Sequence, residues 1–384
     1  MKTKYKLHTE IDEIERVPIQ RNELMNEIDL IDRVYETILK NGFTFSREQV
    51  INYYLSLKTK PFVILTGISG TGKTKITELF ARAVCQDYDK QYLQLPVRPD
   101  WNDDRNLLGY YNPLTKQYLS TPFLKFIMNA VQDSENPYFL CLDEMNLARV
   151  EYYFSTFLSA MESTKKIKLH GENNIKTENG LEIPAEIEIP INLFFTGTVN
   201  MDETTYRFSP KVLDRANTIE FNEIKLLTPR VTEDTSAINS ELIEPFKTYF
   251  LNDKVRKNGT SSEYKKWETE NWTEMVGFLD HVNKDALEKY NLHFGYRIRD
   301  EVMRYLYFTE ELNSDDFTTN IALDLQIKQK ILPRIKGTDS IKKALELMRD
   351  IIQDKLQSIE KPQSIPKLDQ MMGALDNGYT DFYQ

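Results

Sequence analysis

The stretch from Phe62 to Lys75, FVILTGISGTGKTK, restricts the fold of this chain more than any other. It opens with a β-branched and apolar run of buried-strand length, and it continues into Gly67–Thr74, which has the spacing G-x-x-x-x-G-K-T. The pattern ITELFARAV follows, with its apolar residues on one face of a helix. The sequence therefore predicts a strand, a glycine-rich turn and a helix in direct succession, which is the context in which this spacing forms a phosphate-binding loop.

The residue types of this loop suit an anion. Glycines let backbone N–H groups point inward around a phosphate, and the N-terminus of the following helix adds its dipole. Lys73 would reach the β- and γ-phosphates, and the Thr74 hydroxyl would bind Mg²⁺. The candidate nucleotide-binding residues of the loop are Gly67, Ser69, Gly70, Thr71, Gly72, Lys73 and Thr74.

Further strand-like runs alternate with helical patterns along the next 130 or so residues, a length within one domain. The strand-like runs are YLQLPV, YFLCLD and NLFFTGTVN, and the helical patterns between them are PFLKFIMNAV and EYYFSTFLSAME. This alternation predicts an α/β fold with a parallel sheet between helices. Between Thr164 and Pro190, polar and apolar residues alternate around an Asn-Gly pair, which predicts an inserted β-hairpin.

Composition divides the chain into four predicted segments. Residues 1–45 form an N-terminal helical extension, and residues 46–225 form the α/β core, which starts at a capping box made by Ser46 and Gln49. Residues 226–265 are polar and turn-rich, as in a linker or insertion. Residues 266–384 show mainly helical patterns and are expected to form a second domain.

Charge and composition restrict the partners and the compartment. The chain has 59 acidic and 49 basic residues, a formal net charge of −10, so it has no overall field that would attract nucleic acid. No two of its four histidines have metal-ligand spacing, and its two cysteines lie in apolar stretches, as expected of buried thiols in a reducing compartment. We find neither a signal-peptide core nor a run of about 18 apolar residues, and we expect a cytoplasmic protein that does not contact a membrane.

Two acidic residues, Asp143 and Glu144, end the apolar run YFLCLD. Since parallel sheets bind ligands at the carboxyl ends of their strands, these side chains are expected near the phosphate loop. Asp143 would hold Mg²⁺ together with Thr74, and Glu144 would polarise the attacking water. The alternative is that Glu144 begins the next helix, where an acidic side chain favours the helix dipole.

Two later residues could complete such a site. Asn200 ends another strand-like run, where its amide could orient the water, although asparagine is also an ordinary turn residue. Arg215 could reach the γ-phosphate bound to a neighbouring subunit and stabilise the transition state. Its alternative role is a surface salt bridge to Asp214 or Glu220.

Together these motifs resemble the AAA+ ATPase superfamily, and their spelling is similar to that of the McrB-like nucleoside triphosphatases of restriction systems. The resemblance lies in FVILTGISGTGKTK, PVRPDWNDDRNLLGYYNP, LDEMNLARVEYYFSTFLSAME, GTVNMDETTYRFSPKVLDRAN and HFGYRIRDEVMRYL. It implies an AAA+ P-loop core with a β-hairpin insertion, a mainly helical C-terminal lid domain and a ring of six subunits. It also implies that Asn200 is the sensor-1 residue, that Arg215 is a finger acting in trans, and that Arg297 or Arg299 is the sensor-2 arginine of the lid.

The same resemblance implies Mg²⁺-dependent hydrolysis of ATP or GTP by a motor subunit that activates a separate McrC-like nuclease in DNA restriction or antiphage defence. DNA would be contacted directly or through that partner. A MoxR-like chaperone that remodels protein complexes is the alternative enzyme, and a scaffold that binds nucleotide without turnover is the non-enzymatic one. The best-known member of the family has the signature M-N-T-A-D, which is replaced here by V-N-M-D-E, residues 199–203, and this difference leaves the preferred base open.

Overall fold

A computed structural model describes residues 25–163, 165–201, 205–222 and 240–383. Its strands are β1 Phe62–Gly67, β2 Tyr92–Pro96, β3 Tyr110–Asn112, β4 Gln117–Leu119, β5 Tyr138–Asp143, β6 Ile167–Lys168, β7 Glu186–Ile187, β8 Leu193–Asn200, β9 Asn217–Glu220, β10 Lys336–Gly337 and β11 Thr380–Asp381. Five of them form one sheet in the order β2-β5-β8-β1-β9, and all four pairings within it are parallel. The predicted parallel core is thus confirmed.

Helices cover both faces of this sheet and make up most of the C-terminal half. They are α1 Glu27–Lys40, α2 Arg47–Thr59, α3 Lys73–Val84, α4 Tyr88–Gln91, α5 Arg105–Leu108, α6 Pro122–Gln132, α7 Val150–Tyr153, α8 Ser155–Ser163, α9 Pro210–Leu213, α10 Ser240–Phe246, α11 Lys254–Asn258, α12 Ser262–Asn271, α13 Gly277–His281, α14 Tyr296–Leu312, α15 Thr319–Gln326, α16 Lys342–Lys355 and α17 Ser364–Ala374. Four short π-helical segments occupy Lys247–Leu251, Trp272–Val276, Val282–Leu287 and Ile327–Ile331.

Strand β1, which lies between β8 and β9, shows how the sheet is buried on both sides. Val63 and Leu65 belong to the hydrophobic cluster on one face, and Phe62 and Ile64 belong to the cluster on the other. Successive side chains of a strand point to opposite faces, so a strand covered on both sides needs apolar residues at every position. This is why the run reads as continuously apolar in the sequence.

The predicted N-terminal elements lie against the core. The capping box of α2 is present: Gln49 N–H donates to Ser46 Oγ at 3.1 Å, and Ser46 N–H donates to Gln49 Oε1 at 2.8 Å. In α1, the apolar face that packs against α3 and α10 is buried at Leu30, Ile31, Val34 and Ile38. The first 24 residues of the predicted extension lie outside the described residues.

The segment predicted as a linker or insertion, 226–265, is described from residue 240 onward. That part forms the short helices α10 and α11 and the start of α12. Phe246 and Phe250 are fully buried there, with ring contacts to Phe80 and Phe194 of the core. These residues add a layer to the face of the sheet that α1 and α3 cover.

The predicted hairpin insertion appears as the antiparallel pair β6–β7. Nearer its tip, Lys176 and Glu182 form a bridge around a turn at Gly180, whose φ is 81°. Thr164, the first residue of the predicted insertion, lies outside the described residues.

A buried ionic cluster joins the C-terminal domain to the core. Glu301 of α14 is 5% exposed; it contacts Lys330 Nζ at 2.6 Å and also pairs with Lys60, which follows α2. Lys330 in turn donates to the carbonyl of Ala216, just before β9. Because the carboxylate and Lys330 belong to the C-terminal domain, and Lys60 and Ala216 to the core, the cluster fixes one domain on the other.

We expect Glu301→Gln to lower the free energy of unfolding by about 3–5 kcal/mol, since it removes the charge that the buried Lys330 and the half-buried Lys60 share. Burial by itself raises the pKa of Glu301, but Lys330 and Lys60 outweigh it and hold that pKa below its ordinary value. The stabilisation is therefore complete above the unfolded-state pKa of about 4.3 and is lost as the pH falls through the lower folded-state pKa.

Urea unfolding at neutral pH and at successively lower pH measures both effects. The matched control is Glu310→Gln, at an exposed position of the same helix, which should change the free energy of unfolding by less than about 0.5 kcal/mol. Equal unfolding midpoints for the two variants would contradict a stabilising role for the cluster.

Candidate active site

The phosphate loop connects β1 to α3 and depends on glycine at specific points. Gly67, Gly70 and Gly72 have φ values of 144°, 82° and 88°. A Cβ on Gly67 would lie 2.3 Å from the carbonyl oxygen of Phe221, and one on Gly72 would lie 2.9 Å from the Phe45 ring. The loop therefore requires glycine at Gly67 and Gly72 for space as well as for backbone conformation.

We expect Gly67→Ala to destabilise the protein and to abolish nucleotide binding, whereas Gly70→Ala should be tolerated far better. Both positions have positive φ, but a Cβ on Gly70 meets nothing within 4 Å. Overpacking against rigid backbone typically costs about 1–3 kcal/mol, which Gly70→Ala avoids. Unfolding midpoints and titration with a fluorescent ATP analogue compare the two variants. Equal losses of stability and of binding in both variants would show that the positive φ, and not the space around the Cβ, sets the effect.

Two residues of the first turn of α3 carry the polar chemistry of the loop. The Lys73 ammonium lies inside the loop, where it donates to the carbonyl oxygens of Gly67 at 2.9 Å and Ile68 at 2.7 Å. Thr74 Oγ1 donates to Asp143 Oδ1 at 2.9 Å. At the other side of the loop, Thr71 Oγ1 donates to the carbonyl of Ile68, while Ser69 lies exposed at the tip.

The two acids lie at the end of β5, beside the end of β8. Asp143 Oδ1 also accepts from Thr198 Oγ1 at 2.6 Å, and its Oδ2 accepts from Gln94 Nε2 at 2.9 Å. Glu144 Oε1 accepts from Asn200 Nδ2 at 3.1 Å. Glu144 has a left-handed backbone, φ 53° and ψ 49°, and the next α-helix starts at Val150, so Glu144 does not begin that helix.

The strand register explains why these groups meet. Gly67 at the end of β1 is the parallel partner of Asn200 at the end of β8, and β5 lies on the other side of β8. The structure thus brings Lys73, Thr74, Asp143, Glu144 and Asn200 to one edge of the sheet.

Thr74 and Asp143 suit Mg²⁺, because they offer a hydroxyl and a carboxylate oxygen that converge on each other. Throughout the described part of the chain, no group of three or more His, Cys, Asp or Glu side chains is placed to hold a metal. In general, Mg²⁺ that is held jointly with substrate phosphates and water takes only one or two protein carboxylates.

Two of the three candidate arginines lie together, bound to one carboxylate. Both Arg215 and Arg297 form ion pairs with Glu162 of α8, and Arg215 Nε also donates to the carbonyl of Leu158 at 2.9 Å. Burial, and then repulsion from Arg297, lowers the pKa of Arg215, although a guanidinium remains a cation. Arg299, the other candidate in the lid, pairs instead with Asp300 at 2.6 Å.

The alternative salt bridges considered for Arg215 are not formed. Asp214 pairs with Arg334, and Glu220 pairs with Lys328 at 3.0 Å and Lys367 at 2.7 Å. Asp214 and Glu220 thus pair with cations of the C-terminal domain, whereas Arg215 pairs with Glu162 of the core.

Three polar residues of this region were not predicted from the sequence to belong to the site: Thr198, Gln94 and Glu162. Thr198 stands two positions before Asn200, on the same face of β8, so the period of a strand could have found it. Gln94 is the central residue of β2. Glu162 has no comparable signal, because its contacts depend on how the two domains pack.

Comparisons with known proteins agree with this fold. A family described as AAA domain (dynein-related subfamily) matches residues 62–240, and a second, described as Domain of unknown function (DUF8727), matches residues 243–379. None of the curated proteins matches the chain. In the described residues, no helix combines the length and apolar character needed to cross a membrane.

Among solved structures, the crystal structure of a "putative ATPase" from Cytophaga hutchinsonii is similar, with a TM-score of 0.52 and 15% sequence identity over 87% of this chain and 95% of that one. At this level of identity the likeness shows a shared fold. The parallel sheet, the phosphate loop and the match over residues 62–240 give this chain an AAA+ α/β P-loop core, and its mainly helical C-terminal half is a lid domain on that core.

Proposed function

We propose that the chain is a Mg²⁺-dependent nucleoside triphosphatase that hydrolyses ATP or GTP and serves as the ring-forming motor subunit of a McrBC-like restriction system. The observation that supports hydrolysis is the convergence of Lys73, Thr74, Asp143, Glu144 and Asn200 at one edge of the sheet. A passive nucleotide-binding scaffold would need the phosphate loop, but it would not need Glu144 and Asn200 hydrogen-bonded to each other beside it.

In this proposal the loop grips the triphosphate through its backbone N–H groups and Lys73. The Lys73 ammonium exchanges its two carbonyl partners, Gly67 and Ile68, for phosphate oxygens, which are stronger acceptors. Thr74 and Asp143 hold Mg²⁺, which supplies positive charge to the phosphate oxygens when it is bound.

Glu144 acts as the general base. Its carboxylate accepts a proton from the attacking water as the water oxygen bonds to the γ-phosphorus and the bond to the bridging β–γ oxygen breaks. The Asn200 amide donates to Glu144 Oε1 and so fixes the orientation of the carboxylate beside the phosphate loop. The products are the nucleoside diphosphate and inorganic phosphate.

Arg215 and Arg297 complete the site of a neighbouring subunit. Both guanidiniums are gathered on Glu162 of their own subunit, so the two would approach a neighbour's γ-phosphate as a pair. Charge-assisted contacts from arginine stabilise the transition state of phosphoryl transfer. Catalysis therefore requires an assembled ring, for which the resemblance suggests six subunits.

A separate nuclease fits the charge of the chain. With a net charge of −10, the ring has no general attraction for DNA, so DNA would be held by a McrC-like nuclease partner or by a local contact of this chain. In that scheme the ring supplies motion and the partner supplies cleavage.

Steady-state hydrolysis of ATP and of GTP, with and without the nuclease-like protein encoded beside it, tests the proposal. We expect turnover with one nucleotide, stimulation by the partner, and DNA cleavage that requires both proteins. Lys73→Ala is the matched inactive control. Turnover that responds to a protein substrate and not to a nuclease would favour the MoxR-like chaperone, and no turnover under any condition would reject the enzymatic proposal.

A further inference from the structure

Thr198 links the two acids of the site through a single hydroxyl. It is 2% exposed, and its Oγ1 donates to Asp143 Oδ1 at 2.6 Å and accepts from the Glu144 N–H at 3.0 Å. A hydroxyl has one hydrogen and an N–H can only donate, so that hydrogen is committed to Asp143. The direction of both hydrogen bonds is therefore fixed.

The bond to Asp143 constrains its carboxylate. Oδ1 accepts from Thr198 and Thr74, and Oδ2 accepts from Gln94. If Thr74 turns its oxygen to a metal ion, Thr198 and Gln94 continue to hold the carboxylate plane from its two sides. A hydroxyl-to-carboxylate bond of this length is roughly twice as strong as one between neutral groups.

The bond to Glu144 constrains its backbone. Glu144 adopts the left-handed conformation, which costs a residue with a Cβ on the order of 1 kcal/mol. A hydrogen bond from its N–H to Thr198 offsets this cost. It also fixes the direction in which the Glu144 side chain leaves the strand, toward Asn200.

We propose that Thr198 is a positioning residue for triphosphate hydrolysis, whose hydroxyl sets the orientation of Asp143 and Glu144 relative to each other. The inference rests on the proposed function and adds to it a residue that acts through the two acids. Thr198 lies on β8, one strand away from the phosphate loop, so its loss should leave the grip on the nucleotide largely intact.

The test compares Thr198→Val, which keeps the shape and removes the hydroxyl, with Thr198→Ser, which keeps the hydroxyl. The matched control is Thr196→Val: Thr196 is 3% exposed on the same strand, and its hydroxyl is hydrogen-bonded to Tyr53 at 2.9 Å. Each variant is made in the full chain, its melting temperature is recorded, and kcat, KM and the Mg²⁺ concentration for half-maximal rate are measured.

We expect Thr198→Val to lower kcat about 100-fold, the scale of a misplaced catalytic group, with KM changed by less than about threefold. The Mg²⁺ requirement should rise, and Thr198→Ser should restore most of the rate. Thr196→Val should lower the melting temperature and leave kcat unchanged, because it removes a buried hydrogen bond that does not involve the acids.

A kcat for Thr198→Val equal to that of Thr196→Val would overturn the inference, and so would a Thr198→Ser variant as slow as Thr198→Val. If the unmodified chain hydrolyses neither ATP nor GTP, the proposed function fails separately, and binding of a fluorescent triphosphate decides the role of Thr198. In that case Mg²⁺ should raise the affinity for the triphosphate in the unmodified chain and in Thr198→Ser, but not in Thr198→Val. If Mg²⁺ raises the affinity of Thr198→Val equally, the role of Thr198 is overturned.

Discussion

Glu144→Gln is expected to lower the rate of hydrolysis by about 10²–10⁴-fold, the usual contribution of a general base, while triphosphate binding is retained. Glutamine has nearly the same shape, and its amide oxygen can still accept the hydrogen bond from Asn200 Nδ2. It cannot take up the proton of the attacking water. The loop residues that we expect to bind phosphate follow β1, not β5, and remain unchanged.

Steady-state turnover and titration with a fluorescent nucleotide separate the two effects. Glu172→Gln, at an exposed position of the hairpin insertion, makes the same chemical change away from the sheet edge and should leave both quantities at their normal values. Full turnover in Glu144→Gln would assign the base to another group. Loss of binding together with turnover would mean that Glu144 supports the loop and does not act on water.

The parts of this site that lie within one strand and the turn after it could be predicted from the sequence. β1, the phosphate loop and α3 are consecutive, and their glycines, apolar run and helical period are each visible locally. It could also be predicted that the polar residues at the ends of β5 and β8 lie near the loop, because parallel strands present their carboxyl ends at one edge of the sheet. Local pattern and simple topology were sufficient for these groups.

The contacts between strands and between domains could not be predicted in this way. The bond from Thr198 to Asp143 requires β5 and β8 to be neighbours, and the alternation of strands and helices does not state the strand order. The meeting of Arg215 and Arg297 at Glu162 requires the C-terminal domain to pack on α8 and α9 in one particular way. No periodicity in the chain encodes that placement.

The second large effect is expected for Arg215→Ala, which should reduce turnover by about 10³-fold or more while sparing nucleotide binding, as loss of an arginine finger does. Glu162 keeps Arg297 as a partner in this variant, so its carboxylate still has an ion-pair partner. Lys211→Ala is the matched control, because Lys211 is an exposed cation on the adjacent helix α9 and should not alter turnover.

Mixing variants decides whether Arg215 acts on its own subunit or on a neighbour. Arg215→Ala subunits have an intact phosphate loop, and Lys73→Ala subunits have an intact Arg215. In the proposed ring, assembled at random from equal amounts of the two variants, about a quarter of the interfaces would join a functional loop to a functional arginine. If each interface works independently, activity should recover to about that fraction of the normal rate, although each variant alone is inactive. If Arg215 acts on the loop of its own subunit, no such recovery is expected, since every subunit in the mixture still lacks either Arg215 or Lys73.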